Sequence, residues 1–253
     1  MKFKKGYFAC IGFLFLFSWV NQSNAYTAQE IVNSVIDELD NVADYQATVD
    51  ADFSPAVIDD MTGGTIKWKR NSGTWKTKIL GGSPYTYNKS ICNGTGYNIY
   101  DNASDPNAFY YITVSAYAPI IRGQTAADMF NMEQILAAET WSKDNDTVTV
   151  NNVSCYRVYT SKESDNYEVW IDEATRTKVI RSKWIDGGDG PVTWILDYSD
   201  YTNVENTAQL PGTIFATLYV GATEQYSITW TISDIDINES LSDSIFVIDE
   251  PQQ

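Results

Sequence analysis

The stretch Tyr226-Ser227-Ile228-Thr229-Trp230-Thr231-Ile232-Ser233 sets four large apolar residues between four hydroxyl-bearing ones. Successive side chains of a strand point to opposite faces. Such alternation therefore marks a sheet with one face toward an apolar interior and the other toward water. Val192, Trp194, Leu196 and Tyr198 repeat the pattern one strand earlier. From Tyr167 to Ile248 the chain reads as a run of short strands, divided by turn signals at Asp172 to Thr175, Gly187 to Pro191 and Gly221-Ala222. Near Ser233 the apolar positions change from even to odd, Ile232 giving way to Ile235 and Ile237, and a one-residue shift of this kind predicts a β-bulge.

Toward the N-terminus the periodicity differs. Thr27-Ala-Gln-Glu30 is a capping box, and it opens a helix with Ile31, Val32, Val35, Ile36 and Leu39 at helical spacing. Tyr45, Ala47, Val49, Ala51 and Phe53 then alternate as a strand, and Pro55 and Gly63-Gly64 are expected to bracket a loop. Ile66 and Trp68, then Trp75, Thr77 and Ile79, predict a hairpin turning at Asn71-Ser72-Gly73. Residues 81–108 are rich in turn formers, interrupted by a strand at Tyr97 to Tyr100. A second helix is expected from Thr125 to Ala138, with Ala126, Met129, Phe130, Ile135 and Leu136 as its apolar stripe. Without internal repeat or linker, residues 26–253 read as one α+β, mainly antiparallel domain.

Residues 1–25 have the form of a secretory signal peptide. Lys2, Lys4 and Lys5 precede an apolar stretch from Tyr7 to Val20, and Ser23-Asn24-Ala25 supplies small residues for cleavage. Cys10 lies within that stretch rather than after it, so a soluble, unlipidated mature protein is expected. Removing three lysines and no acids leaves 14 basic residues facing 33 acidic ones, a net charge near −19. Such a surface repels phosphate backbones, which argues against nucleic-acid binding. The mature cysteines, Cys92 and Cys155, leave two readings open: one disulfide, or two buried thiols. With no histidine to complete a ligand set, zinc is not expected. Asp234, Asp236 and Asn238 imitate the start of a calcium loop, but Glu239 and Ile245 stand where that loop needs glycine and glutamate. No nucleophile elbow or phosphate-binding glycine loop is present, so neither catalysis nor a cofactor is expected.

Several short stretches, in order, resemble the LolA-like superfamily, the periplasmic lipoprotein carriers and outer membrane lipoprotein-sorting proteins. Gly64-Thr-Ile-Lys-Trp-Lys-Arg70 resembles that family's second strand, and Asn93-Gly94 through Tyr97 to Asp101 resembles its "Asp-Gly … Tyr-Asp" strand. Val169-Trp-Ile-Asp172, with Thr175 and Val179-Ile180, resembles its Trp-containing hairpin. Leu210-Pro211, Ile235 to Asn238 and Leu241 to Phe246 resemble the closing segment of many members.

The resemblance implies an unclosed half-barrel of about 10–11 strands with both helices over its concave face. It further implies a periplasmic binding protein holding the acyl chain of a lipoprotein or free lipid, expected as a monomer, with a membrane-bound donor or acceptor protein. Trp68, Trp75, Trp194, Leu196, Tyr198, Ile228 and Trp230 on the sheet, with Met129 and Phe130 on the second helix, would line the cavity. Ordinary core packing is the competing reading for each. Arg70 matches the arginine that helps latch the helical lid, although Asn71 stands where the family has proline. The alternative function is a binding or sensor module of the same fold that recognises a protein or sugar through its outer surface.

Overall fold

The computed structural model describes residues 26–55, 59–71, 74–84, 89–92, 96–100, 109–113, 136–137, 140–160, 165–186 and 192–247. Helix α1 (Ala28–Leu39) begins as its capping box requires. Thr27 Oγ1 accepts the Glu30 N–H at 3.2 Å, and the Glu30 carboxylate accepts the Thr27 N–H at 2.7 Å. Those hydrogen bonds to Thr27 hold the exposed Glu30 carboxyl below its ordinary pKa. Ile31, Val32, Val35 and Leu39 form the buried stripe.

In chain order the strands are β1 (Asp44–Ser54), β2 (Met61–Asn71), β3 (Thr74–Leu80), β4 (Lys89–Cys92), β5 (Gly96–Tyr100), β6 (Phe109–Thr113), β7 (Ser142–Lys143) and β8 (Val148–Val150). They continue with β9 (Val153–Tyr159), β10 (Asp165–Asp172), β11 (Val179–Asp186), β12 (Val192–Ser199), β13 (Thr202–Val204), β14 (Ala208–Leu210), β15 (Thr213–Val220) and β16 (Thr223–Ile237). Fourteen of them make one open antiparallel sheet in the order β6-β5-β4-β3-β2-β1-β16-β15-β12-β11-β10-β9-β7, with β8 also on β9. The expected α+β half-barrel is therefore the fold. The strand count exceeds the sequence estimate because pieces such as β7 and β8, two and three residues long, are too short to show alternation. β13 and β14 form a separate hairpin against α1, where the Gln209 N–H donates to the Glu38 carboxylate at 2.9 Å.

Two meanders, β1 to β6 and β7 to β16, meet where β1 pairs with β16 along a seam from Tyr45↔Ile237 to Ser54↔Ser227. The predicted bulge lies in this seam. Gln46 faces Asp236 and Thr48 faces Ser233, so two residues of β16 oppose one of β1, and Asp234 takes φ +50°. The shift lets both Ile232 and Ile237 reach the core.

Gly63 and Gly64 differ from expectation, because they lie inside β2 rather than bounding a loop. Gly63 has φ +70°, and a Cβ on Gly64 would stand 2.8 Å from Met61 Cε and 3.1 Å from both the Leu80 and Val49 carbonyl oxygens. Glycine here serves close strand approach at a register shift. β2 and β3 form the predicted hairpin, paired from Thr65↔Leu80 to Asn71↔Thr74. Of the second predicted helix, Leu136 and Ala137 are helical, and its remaining residues lie outside the described set.

After β16 the chain turns onto the outer side of β2 and β3, where a 3-10 turn (Asp243–Phe246) buries Phe246. The hinge is Asp44, whose buried carboxylate accepts the N–H groups of Glu239 at 2.8 Å and Leu241 at 3.0 Å. Asp243 adds ion pairs to Lys69 at 3.0 Å and Lys76 at 3.1 Å. Removing the Asp44 carboxylate leaves two backbone donors unpaired, each worth about 1–3 kcal/mol when buried. Asp44→Ala is therefore expected to lower unfolding free energy by about 2–4 kcal/mol in denaturant titrations, and Asp44→Asn by less.

Candidate functional site

Residues directly opposite on paired antiparallel strands share a face. Register therefore assembles the inner surface from residues far apart in sequence. One row runs Ala51, Trp230, Ile214, Tyr198 across β1, β16, β15 and β12. The next runs Phe53, Ile228, Ala216, Leu196, Ser182, Val169, Val158 from β1 to β9. A third runs Tyr226, Leu218, Trp194, Trp184, Tyr167 from β16 to β10. Every member of the three rows is uncharged.

Their interiors are buried, while Phe53, Leu218 and Tyr226 remain half-buried at the rim. Trp194 meets Tyr226 edge to face with ring centroids 5.8 Å apart. Polar atoms within the rows are treated unequally. The Ser182 and Tyr198 hydroxyls are 3.1 Å apart and satisfy each other. The indole N–H groups of Trp184 and Trp230, like Thr77 Oγ1 on β3, are buried without a hydrogen-bond partner among the described residues.

Helix α1 packs near β7, β9 and the β13–β14 hairpin, and its C-terminal end reaches β2. Trp68 of β2 lies opposite Tyr45 on one side and Thr77 on the other. Two residues on, Arg70 reaches the end of the helix. Its guanidinium donates to the Leu39 carbonyl at 2.9 Å and the Val42 carbonyl at 3.4 Å, pairs with Asp40 at 3.1 Å, and stands 5.4 Å from the Trp68 ring centroid. The last turn of α1 contains no basic residue of its own. Arg70 thus supplies from another element the positive charge and donors that a helix C-terminus favours.

Charged groups are collected on the opposite face. Arg157 bridges Asp144 at 2.9 Å and Glu168 at 2.8 Å, Lys183 adds a contact to Glu168 at 3.1 Å, and Arg181 binds Asp197 through both carboxylate oxygens. Among the described residues no group of three or more His, Cys, Asp or Glu could hold a metal ion. No described helix is long and apolar enough to cross a membrane.

Of the sequence-predicted lining residues, Trp68, Trp194, Leu196, Tyr198, Ile228 and Trp230 are gathered in one buried cluster. Trp75 is in register with Arg70 on β3, but its side chain, like Met129 and Phe130 entirely, lies outside the described residues. Cys92 and Cys155 are not joined in a disulfide. Cys92 belongs to the main core and Cys155 to a small separate cluster with Val150 and Ile180, so of the two open readings the unbridged one holds. Burial foremost pushes the Cys155 thiol up to about 11, which keeps it protonated and unreactive at neutral pH. Sequence reading overlooked Trp184, Tyr167 and Leu218. Trp184 stands between Lys183 and Ile185, and only register with Trp194 reveals its inward side.

No protein-family model matches this chain, and no curated protein does. Solved structures do. A DUF1329 family protein from Desulfovibrio piger aligns at TM-score 0.66 with 13% identity, over 87% of this chain and 95% of its own. A domain assigned to outer membrane lipoprotein sorting from Vibrio parahaemolyticus aligns at 0.64 with 12% identity, over 87% and 97%. A LolA superfamily protein from Nitrosomonas europaea aligns at 0.58 with 11% identity, over 88% and 99%. The chain has a LolA-like fold.

Because Arg70 caps α1 from the sheet, Arg70→Met is expected to cost about 1–2 kcal/mol of stability. Hydrogen exchange should speed up selectively in the last turn of α1. Uniformly faster exchange across the sheet would contradict this role.

Proposed function

We propose that this chain is an exported, non-enzymatic binding protein that holds an acyl chain, of a lipoprotein anchor or a free lipid, against the inner face of its half-barrel. Transfer of lipid or lipoprotein across the periplasm is the task this would serve. The observation that carries the reading is the set of three consecutive uncharged rows spanning β1, β16, β15, β12, β11 and β10. Exposing an acyl chain to water costs about 0.8 kcal/mol per CH₂, so moving one through an aqueous compartment requires an apolar container. The lipoprotein-sorting role named for a structural neighbour and the leader-like first 25 residues support the same reading.

Loading would work by exchange. The stripe of Ile31, Val32, Val35 and Leu39 on α1 already occupies apolar surface, and an incoming chain replaces those contacts at little net cost. Arg70 would act as the latch, since its bonds to the α1 terminus must loosen before the helix lifts. A membrane-bound donor or acceptor protein would supply and receive the cargo. Recognition of a protein or sugar through the outer surface fits less well. Trp68 and Trp230, the aromatics such a surface would use, are buried in the core.

Native mass spectrometry of the mature protein from its own periplasm or medium, with solvent extraction, tests this directly. A co-purifying lipid or acylated peptide is expected. A clean apo mass, with no uptake of added fatty acid or lipopeptide, would overturn the reading in favour of outer-surface recognition. At the half-buried rim, Phe53→Asn and Leu218→Gln should reduce lipid uptake several-fold while lowering stability by no more than about 1 kcal/mol.

A further inference from the structure

We infer that the indole N–H groups of Trp184 and Trp230 donate hydrogen bonds to a bound lipid, and that the ligand is a carbonyl-linked acyl lipid rather than a bare hydrocarbon or an alkyl ether. The inference rests on the acyl-binding reading above and adds a polar subsite to it. Both tryptophans are more than nine-tenths buried, at 8% exposure each, and neither indole nitrogen has a partner among the described residues. Buried polar groups in folded proteins are hydrogen-bonded with few exceptions, and an unpaired donor is costly. Two such donors on one face call for a cause, and a ligand acceptor provides one.

Register places the pair suggestively. Trp230 belongs to the first inner row and Trp184 to the third, so they flank the second row from opposite sides. The second row, where the small Ala216 and Ser182 stand on either side of Leu196, is the lane that runs between the indoles. A chain lying along that lane passes one N–H on each flank. The two rows are four residues apart along the strands, about 13 Å. Trp230 and Trp184 also stand three strands apart, so each indole takes its own carbonyl, and the adjacent esters of one glycerol do not span the pair.

The surroundings select the acceptor. Ala51, Ile214 and Tyr198 accompany Trp230, and Leu218, Trp194 and Tyr167 accompany Trp184, with no cation in either row. A carboxylate would be desolvated there without a counter-charge, whereas a neutral ester or amide carbonyl needs only the donor. The Ser182 and Tyr198 hydroxyls, 3.1 Å from each other, accept from neither indole.

The test compares a diacylglycerol, a dialkylglycerol ether of equal chain length, and the matching free fatty acid, each titrated into delipidated mature protein. The parent should bind the diester about tenfold tighter than the diether, the amount one recovered buried hydrogen bond supplies. Trp184→Phe and Trp230→Phe should each shrink that ratio while leaving diether affinity and the melting temperature of the free protein unchanged or raised. Indole proton resonances of the parent should move downfield with the diester and stay in place with the diether, which checks the contact without any substitution. Equal diester and diether affinity in the parent, with unmoved indole resonances, would overturn the subsite but leave acyl binding standing. Preference for the free fatty acid would also overturn it, by naming a carboxylate as the acceptor. Binding of none of the three would overturn the acyl-binding reading itself.

Discussion

A sheet that does not close on itself leaves its inner face to be covered by something else, and the rest of this molecule is organised by that requirement. α1 lays Ile31, Val32, Val35 and Leu39 over the face and is held at its C-terminal end by Arg70. The β13–β14 hairpin closes in beside it through Glu38 and Gln209. On the other side of the sheet Asp44 and Asp243 fasten the C-terminal segment across β2 and β3. The apolar cover is thus held by a few polar contacts at its ends.

Charge is sorted by the same geometry. Alternation sends Arg181 and Lys183 outward from β11 while Ser182 and Trp184 turn in, and cross-strand pairing brings each cation to a carboxylate. These half-exposed pairs each contribute modestly to stability. Their larger effect is on register. Slipping one strand by a residue would carry charges onto the apolar face and aromatics into water. The inner rows are therefore uncharged by construction.

Much of this was legible from local pattern. The capping box, the β2–β3 hairpin, the alternation of β12 and β16 and the bulge after Ser233 each depend on residues close in sequence. What escaped was non-local. The β1–β16 seam joins residues nearly two hundred positions apart, and it decides which strands lie side by side. Trp184 looks like an aromatic among mixed neighbours until β11 is paired with β12, and Gly63-Gly64 look like the edge of a loop until β2 is paired with its neighbours. Arg70 was picked out by resemblance, but its partners Leu39, Asp40 and Val42 follow only from where α1 comes to rest. Likewise no local signal separates the two cysteines into different clusters.

The central claim is that an acyl chain lies on the inner face, and photocrosslinking tests it most directly. A fatty acyl probe with a diazirine at mid-chain is loaded into the mature protein, irradiated, and the adduct mapped by peptide mass spectrometry. Occupation of the inner rows predicts adducts on β12, β15 and β16, centred on Leu196, Ala216 and Ile228. Adducts confined to outward-facing residues such as Phe215, or labelling that a large excess of unlabelled lipid does not reduce, would contradict it.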